Sequence, residues 1–193
     1  MTISMEDITQ SYDGKVVVDH FNLDIEDRKS YALVGPAGCG KTTILKIFMG
    51  QIKPTGGAVH RMGDYKYPTL QSGYVSQEGQ LNGKKNAIWN VKKVYRRTSK
   101  EMVAEELRRF LPEERLTLPV SELTPGERKL VEIVRAFTIP ADFLVMDEPF
   151  EGLSEESIRK VIAYIQEKQG SRSLLMASRT EDHLDFARII HLK

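Results

Sequence analysis

Gly35-Pro36-Ala37-Gly38-Cys39-Gly40-Lys41-Thr42-Thr43 is the stretch from which the rest of the chain is read. It follows a short apolar run, Tyr31-Ala32-Leu33-Val34, with the look of a buried parallel strand. It runs into a helical segment, Lys41 to Met49, stopped by Gly50. A strand, then Gly-x-x-x-x-Gly-Lys-Thr, then a helix is the arrangement of a phosphate-binding loop. Its glycines let the backbone wrap around phosphates with the N–H groups pointing inward. The helix start adds its positive end. Lys41 is placed to reach the β- and γ-phosphates of a nucleotide, and the Thr42 hydroxyl to ligate Mg²⁺. The plain alternative, a glycine turn between a strand and a helix, does not account for a complete motif in the required setting.

The other half of such a site is Phe143-Leu144-Val145-Met146-Asp147-Glu148. A buried strand that ends in acids puts carboxylates at the carboxyl edge of a parallel sheet, beside the phosphate loop. Asp147 is placed to hold Mg²⁺, directly or through water, and Glu148 to polarise an attacking water as general base. Two acids at a strand end would otherwise be read as simple solvation.

Working outward, Lys15 to Asp19 and Asn22 to Glu26 read as strands separated by polar turns, as do Ala58 to Arg61 and Ser72 to Ser76. Residues 86 to 111 look helical throughout, broken near Thr98 and Ser99, and Pro112 and Pro119 end that stretch. Pro125 to Phe137 reads as a helix with Leu130, Val131, Val134 and Phe137 on one side. Ser154 is placed to cap a helix to Gln169, with Glu155 and Glu156 in its first turn. Leu174 to Ala177 and Ile189 to Leu192 close the sheet. Alternating strands and helices predict an α/β fold with a mostly parallel sheet core, preceded by an N-terminal antiparallel β subdomain. The expected organisation is a single domain over 1–193. Its nucleotide-binding core is 1–77 and 123–193, and its inserted helical lobe is 78–122.

Composition bounds the function classes. There are 28 Lys+Arg and 27 Asp+Glu, a net charge of +1, so bulk charge makes no case for nucleic acid or anionic lipid. The local cluster Lys92, Lys93, Arg96 and Arg97 reads as a solvated helix face. Cys39 is the single cysteine, so an internal disulfide is impossible and a reducing compartment is the natural expectation. The polar first ten residues predict no secretory leader. Nowhere do about eighteen apolar residues run together, so any pore would come from another chain.

Further segments carry a resemblance. Leu123-Thr124-Pro125-Gly126-Glu127 lies ahead of the Asp147-Glu148 strand and resembles the Leu-Ser-Gly-Gly-Gln signature of ABC ATPases. Tyr74-Val75-Ser76-Gln77 resembles their Q-loop. Asp147-Glu148-Pro149-Phe150 followed by Gly152-Leu153 resembles their joined Walker B and D-loop. Tyr12 matches the aromatic that stacks on adenine, with a plain sheet aromatic as the alternative. These segments occur in family order across nearly the whole chain, which is identified as a member of the ABC ATPases. Gln77-Glu78, the run Ala87-Ile88-Trp89-Asn90-Val91, and Phe150 after Pro149 are similar to bacterial importer ATPases, nearest the nitrate, sulfonate and taurine branch.

The resemblance implies ATP and Mg²⁺ as cofactors and a head-to-tail dimer. ATP on the loop of one cassette, residues Gly35 to Thr43, would be closed over by Thr124, Pro125, Gly126 and Glu127 of the other. Glu148, Lys41 and Gln77 would be catalytic, and Thr42, Gln77 and Asp147 would hold the metal. Transmembrane permease subunits would dock near the Q-loop and helical lobe, with Trp89 either at the floor of that groove or in the core. No nucleic acid is expected, and the chain would sit in the cytoplasm on the inner face of the membrane.

Some positions depart from the family pattern. Thr124 keeps a hydroxyl, Pro125 removes a backbone N–H, and Glu127 replaces Gln. Ser154 replaces the D-loop aspartate. Arg179 stands where the family has its switch histidine, and arginine cannot relay a proton; His183 lies one helical turn further on. Two readings follow: a hydrolytic subunit of a transporter, or a slow cassette that clamps ATP as a switch or as the weaker half of a heterodimer. Soluble cassettes of DNA repair or translation, expected to carry two cassettes or a long coiled coil, form a third class.

Overall fold

The computed structural model describes residues 2–62 and 70–193. β1 (Thr2–Tyr12) and β2 (Lys15–Ile25) form an antiparallel hairpin. Asp13-Gly14 makes its turn with φ of 49° and 78°, the left-handed pair that two-residue hairpins require. β3 (Ser30–Val34) leads through the glycine loop to α1 (Lys41–Phe48). β4 (Gly56–Met62) returns to the free edge of β1, giving a three-stranded sheet in the order β2-β1-β4.

The polar character of the first ten residues hides β1, which is the central strand of this sheet. Ile3, Met5 and Ile8 are buried, but an irregularity between Met5 and Ile8 breaks the period-two pattern that identifies strands. β2 is likewise one strand rather than two short ones.

The remaining strands are β5 (Ser72–Val75), β6 (Phe143–Asp147), β7 (Ser173–Ser178) and β8 (Arg188–His191). They join β3 in a five-stranded parallel sheet ordered β5-β6-β7-β3-β8. Both faces are covered, which is why β6 and β7 are apolar without alternation. Leu144, Met146, Leu174, Met176, Ala32 and Val34 face one core. Phe143, Val145, Leu175, Ala177 and Leu33 face the other, packed with Ile44, Leu45 and Phe48 of α1 and with the inner side of the antiparallel sheet.

Between β5 and β6 come α2 (Ala87–Lys92), α3 (Lys100–Arg108), α4 (Glu113–Leu116), a 3-10 turn at Val120–Glu122, and α5 (Pro125–Thr138). Residues 86–111 are less continuously helical than their sequence predicts. Asn86 caps α2 and Ser99 caps α3, each side chain accepting a backbone N–H three residues on. A second cap means a second helix start, and turns fill 93–98. Val103, Ala104 and Leu107 of α3 pack into the same core as Leu130 and Val134 of α5. Trp89 is 36% exposed, so it is not a core residue. α6 (Glu155–Lys168) is capped by Ser154, whose hydroxyl accepts from Ser157 N.

Candidate functional site

Parallel register delivers the site. Val34 pairs with Ser178, Asp147 with Ala177, and Val75 with Met146. The strands therefore end level at one edge of the sheet. Gly35 leaves β3 there, Gln77 leaves β5, Asp147 and Glu148 end β6, and Arg179 leaves β7. A cleft of about 240 Å³ opens at this edge, lined by Ala37, Gly38, Gly40, Lys41, Thr42 and Thr43 of the loop and helix, by Gln77, Asp147, Glu148 and Arg179, and by Val17 of β2. Val17 is the one lining residue that sequence reasoning did not single out.

The loop's geometry requires its glycines. Gly40 caps α1 with φ of 92°, and a Cβ there would meet the Val17 carbonyl oxygen at 2.8 Å. A Cβ on Gly35 would meet the Leu192 carbonyl oxygen at 2.6 Å and the Cys39 Sγ at 2.9 Å. The backbone must pass close to its neighbours here, as a phosphate cradle demands.

Lys41 is 6% exposed, and its Nζ donates to the carbonyls of Gly35 at 2.6 Å and Pro36 at 2.9 Å. It also lies 3.7 Å from Glu148 Oε1. The ammonium is thus held inside the loop that the motif assigns to phosphates.

Asp147 is 1% exposed. Its Oδ2 accepts from the Thr42 hydroxyl at 2.6 Å, while its Oδ1 has no hydrogen-bond partner among the described residues. Burial pushes its carboxyl above the ordinary range, against the Thr42 hydrogen bond and the charges of Lys129 and Lys41. A buried carboxylate oxygen without a partner is costly. Beside it stand a hydroxyl and, across the cleft, the amide of Gln77. One carboxylate with neutral oxygens is what Mg²⁺ uses when phosphates complete its shell, so these residues fit that ion. Among the described residues no group of three or more His, Cys, Asp or Glu side chains could form an all-protein metal cage.

Glu148 has φ of 48°, in the left-handed region, at a cost of about 1–2 kcal/mol for a residue with a Cβ. Its backbone N–H donates to the Ala177 carbonyl at 3.0 Å, anchoring the turn. The side chain accepts from the Arg179 backbone N–H at 3.3 Å. Burial raises its pKa, opposed by Lys41 and by the backbone and guanidinium of Arg179, while Asp147 adds to the rise. A carboxyl held above its usual range takes up a proton more readily, which suits a base.

The four signature positions lie elsewhere. Thr124 caps α5, Pro125 occupies its first turn, and Glu127 closes a reciprocal capping box with Thr124. Glu127 also takes a two-pronged pair from Arg115 at 2.7 and 2.9 Å, a contact that a neutral glutamine would make more weakly. None of Thr124 to Glu127 lines the cleft of Lys41. Pro125 lines a separate groove of about 510 Å³ with Gln77, Arg128, Lys129 and Glu151.

Tyr12, at the end of β1, is 44% exposed and is not among the residues lining the cleft. His183 pairs with Glu155 at 3.4 Å and packs edge-on to Phe150, so it takes no place in the cleft. The structure adds two residues that no motif revealed. Lys129 is buried on α5 and donates to the Ser76 carbonyl at 3.1 Å, tying that helix to the segment carrying Gln77. Glu151 meets both Gln77 and Arg179. Neither could be read from spacing, because each acts across more than twenty residues of chain.

Comparison with known proteins places the chain in a family. The family model described as "ABC transporter" matches residues 18–151. The spermidine/putrescine import ATP-binding protein of Fusobacterium nucleatum is 33% identical over 162 residues, 78% of this chain but 43% of the relative. The chain thus spans less than half of that relative's length. The manganese transport system ATP-binding protein of Bacillus subtilis is 25% identical over 210 aligned positions, covering 99% of this chain and 84% of the relative. Among solved structures, a dimeric ATP-binding cassette in a post-hydrolysis state with ADP and phosphate superposes with a TM-score of 0.86. It has 22% identity and covers 99% of this chain and 94% of its own; at that identity the likeness speaks for the fold.

Proposed function

The chain belongs to the ABC transporter family of ATP-binding proteins, and on that premise we propose that it binds Mg-ATP and hydrolyses it in a head-to-tail pair of cassettes to drive a membrane permease. The observation that carries the reading is the convergence of Lys41, Thr42, Gln77, Asp147 and Glu148 on one cleft. Lys41 takes the β- and γ-phosphates, and the loop N–H groups cradle the remaining oxygens. Thr42, Asp147 and Gln77 hold Mg²⁺, which neutralises charge on the phosphates when bound. Glu148 accepts a proton from the attacking water, and Tyr12 at the exposed rim stacks on adenine. Positioning and charge, not covalent chemistry, do the work in such a transfer.

A second cassette enters because Thr124 to Glu127 lie outside the cleft of their own chain. Offered to a neighbour's γ-phosphate, they supply the Thr124 hydroxyl and the Gly126 N–H. Import is the favoured direction, since one of the relatives compared is an import ATP-binding protein. Gln77-Glu78, the run Ala87 to Val91, and Phe150 after Pro149 support the nitrate, sulfonate and taurine branch as the finer assignment. Among the described residues no helix is long and apolar enough to cross a membrane, and a transmembrane permease is the partner in this reading. The chain would then lie peripherally on the cytoplasmic face.

A specific observation favours the slow, clamp-like alternative: Arg179 pairs with Glu148, the proposed base, at 3.8 Å. Steady-state ATPase activity against protein concentration separates the two, with Glu148→Gln as control. Activity that rises faster than linearly and vanishes in the control supports a hydrolytic pair. Nucleotide binding without turnover supports the clamp. Absence of binding removes both.

A further inference from the structure

At the mouth of the cleft one carboxylate holds two chain segments at once. Glu151 Oε1 lies 3.4 Å from Arg179 Nη2, and its Oε2 accepts from Gln77 Nε2 at 3.5 Å. Gln77 follows β5 and Arg179 follows β7, so the contact bridges two strand ends with β6 between them. The turn that presents Glu151 is fixed by its own backbone: Glu151 N–H donates to the Glu148 carbonyl at 3.3 Å, and Leu153 N–H to the Phe150 carbonyl at 3.2 Å. Arg179 is shared, because its Nε also stands 3.8 Å from Glu148 Oε1. Both Arg179 and Glu151 are about half exposed, at 50% and 46%.

We propose that Glu151 is a positioning residue of the nucleotide site, tying Gln77 and Arg179 to each other across the cleft mouth and yielding Arg179 to the γ-phosphate when ATP arrives. The inference rests on the nucleotide-binding reading above. Its logic is competition for a single cation. Arg179 has two carboxylates around it, and a third anion can take it only by displacing them. Glu151 is the easier to displace, since its pair with Arg179 is half in water, where ion pairs are weak. Glu148 is buried and keeps its bond from the Arg179 backbone N–H whichever way the guanidinium turns. Because Gln77 hangs on the same carboxylate as Arg179, one event loosens both segments. ADP, lacking the γ-phosphate, leaves the tie intact.

The test is equilibrium titration with a non-hydrolysable ATP analogue and with ADP, in Mg²⁺, for the full chain and for Glu151→Gln. Glutamine keeps a partner for Gln77 but releases the arginine. The expected result is a tightening for the ATP analogue of roughly two- to five-fold, the range of an exposed ion pair, with ADP affinity unchanged. The effect shrinks in high salt and disappears when the same change is made in an Arg179→Ala background. Glu151→Ala removes both arms and is expected to match Glu151→Gln for affinity, with an unchanged melting temperature. Equal shifts for ADP and the ATP analogue, no shift at all, or a shift that survives Arg179→Ala would overturn the proposal while leaving nucleotide binding in place. Binding of neither nucleotide by the unaltered chain would overturn the nucleotide reading and this inference with it.

Discussion

Replacing Thr42 by Val isolates the contact on which the metal-site argument depends. The exchange keeps the shape of the side chain and removes the hydroxyl that donates to Asp147 Oδ2 at 2.6 Å. The other oxygen of Asp147 already lacks a partner among the described residues, so among them the variant leaves a buried carboxylate with neither oxygen bonded. A hydrogen bond to a charged group contributes about 1.5–3 kcal/mol. That corresponds to roughly a 10- to 150-fold smaller folding constant, or a melting temperature lower by about 3–12 °C for a chain of this size. The deficit has a pH signature. Asp147 titrates above its ordinary value because it is buried, and the Thr42 bond is the leading influence that opposes the rise. Losing that bond moves the folded-state pKa further up. An acid whose folded pKa exceeds its unfolded one costs stability above the folded pKa, and the cost fades as pH falls through it, because the folded state then takes up the proton. The difference between variant and unaltered chain is therefore largest at neutral pH and shrinks on mild acidification. Urea unfolding at both pH values measures it, and Thr42→Ser, which keeps the hydroxyl, is expected to recover most of the loss. An equal deficit at both pH values, or none, would refute the account of Asp147 as a buried carboxyl whose raised pKa the Thr42 bond holds down.

Three further outcomes are expected. Alkylation of Cys39 should abolish nucleotide binding and Mg-ATP should protect against it, since Cys39 Sγ packs inside the loop against Gly35 and within 4.0 Å of Lys41 Nζ; unimpaired affinity after complete modification sinks the idea. Tyr12→Ala should weaken ATP binding, if adenine stacks on the exposed ring, while leaving the fold intact because the side chain is 44% exposed; an unchanged affinity assigns Tyr12 to the sheet alone. Glu127→Ala removes both the capping box and the Arg115 pair, and chemical denaturation should show a loss of about 1 kcal/mol or more, with Glu127→Gln falling between the two.

What the sequence made legible was contiguous. The glycine loop, the Asp147-Glu148 strand end and the cap at Ser154 each occupy a few neighbouring residues, and each has a chemical reason for its composition. The parallel sheet was legible for a related reason, since strands covered on both faces are apolar throughout. β1 was missed because an irregularity in its pairing interrupts the alternation that marks a strand. The long-range contacts were hidden for a different reason. A reading of motifs treats Glu127 for Gln and Arg179 for His as separate departures. In the folded chain each replacement has a partner of opposite charge: Glu127 takes the fork of Arg115, and Arg179 meets Glu151. The Arg115 pair is short and two-pronged, and one of its members is the partly buried Glu127, so it stabilises the start of α5. The Glu151 pair is long and half solvated, so it contributes little to stability and is free to exchange partners. The same kind of charge substitution therefore fixes structure where it is close and sheltered, and leaves a movable contact where it is distant and wet.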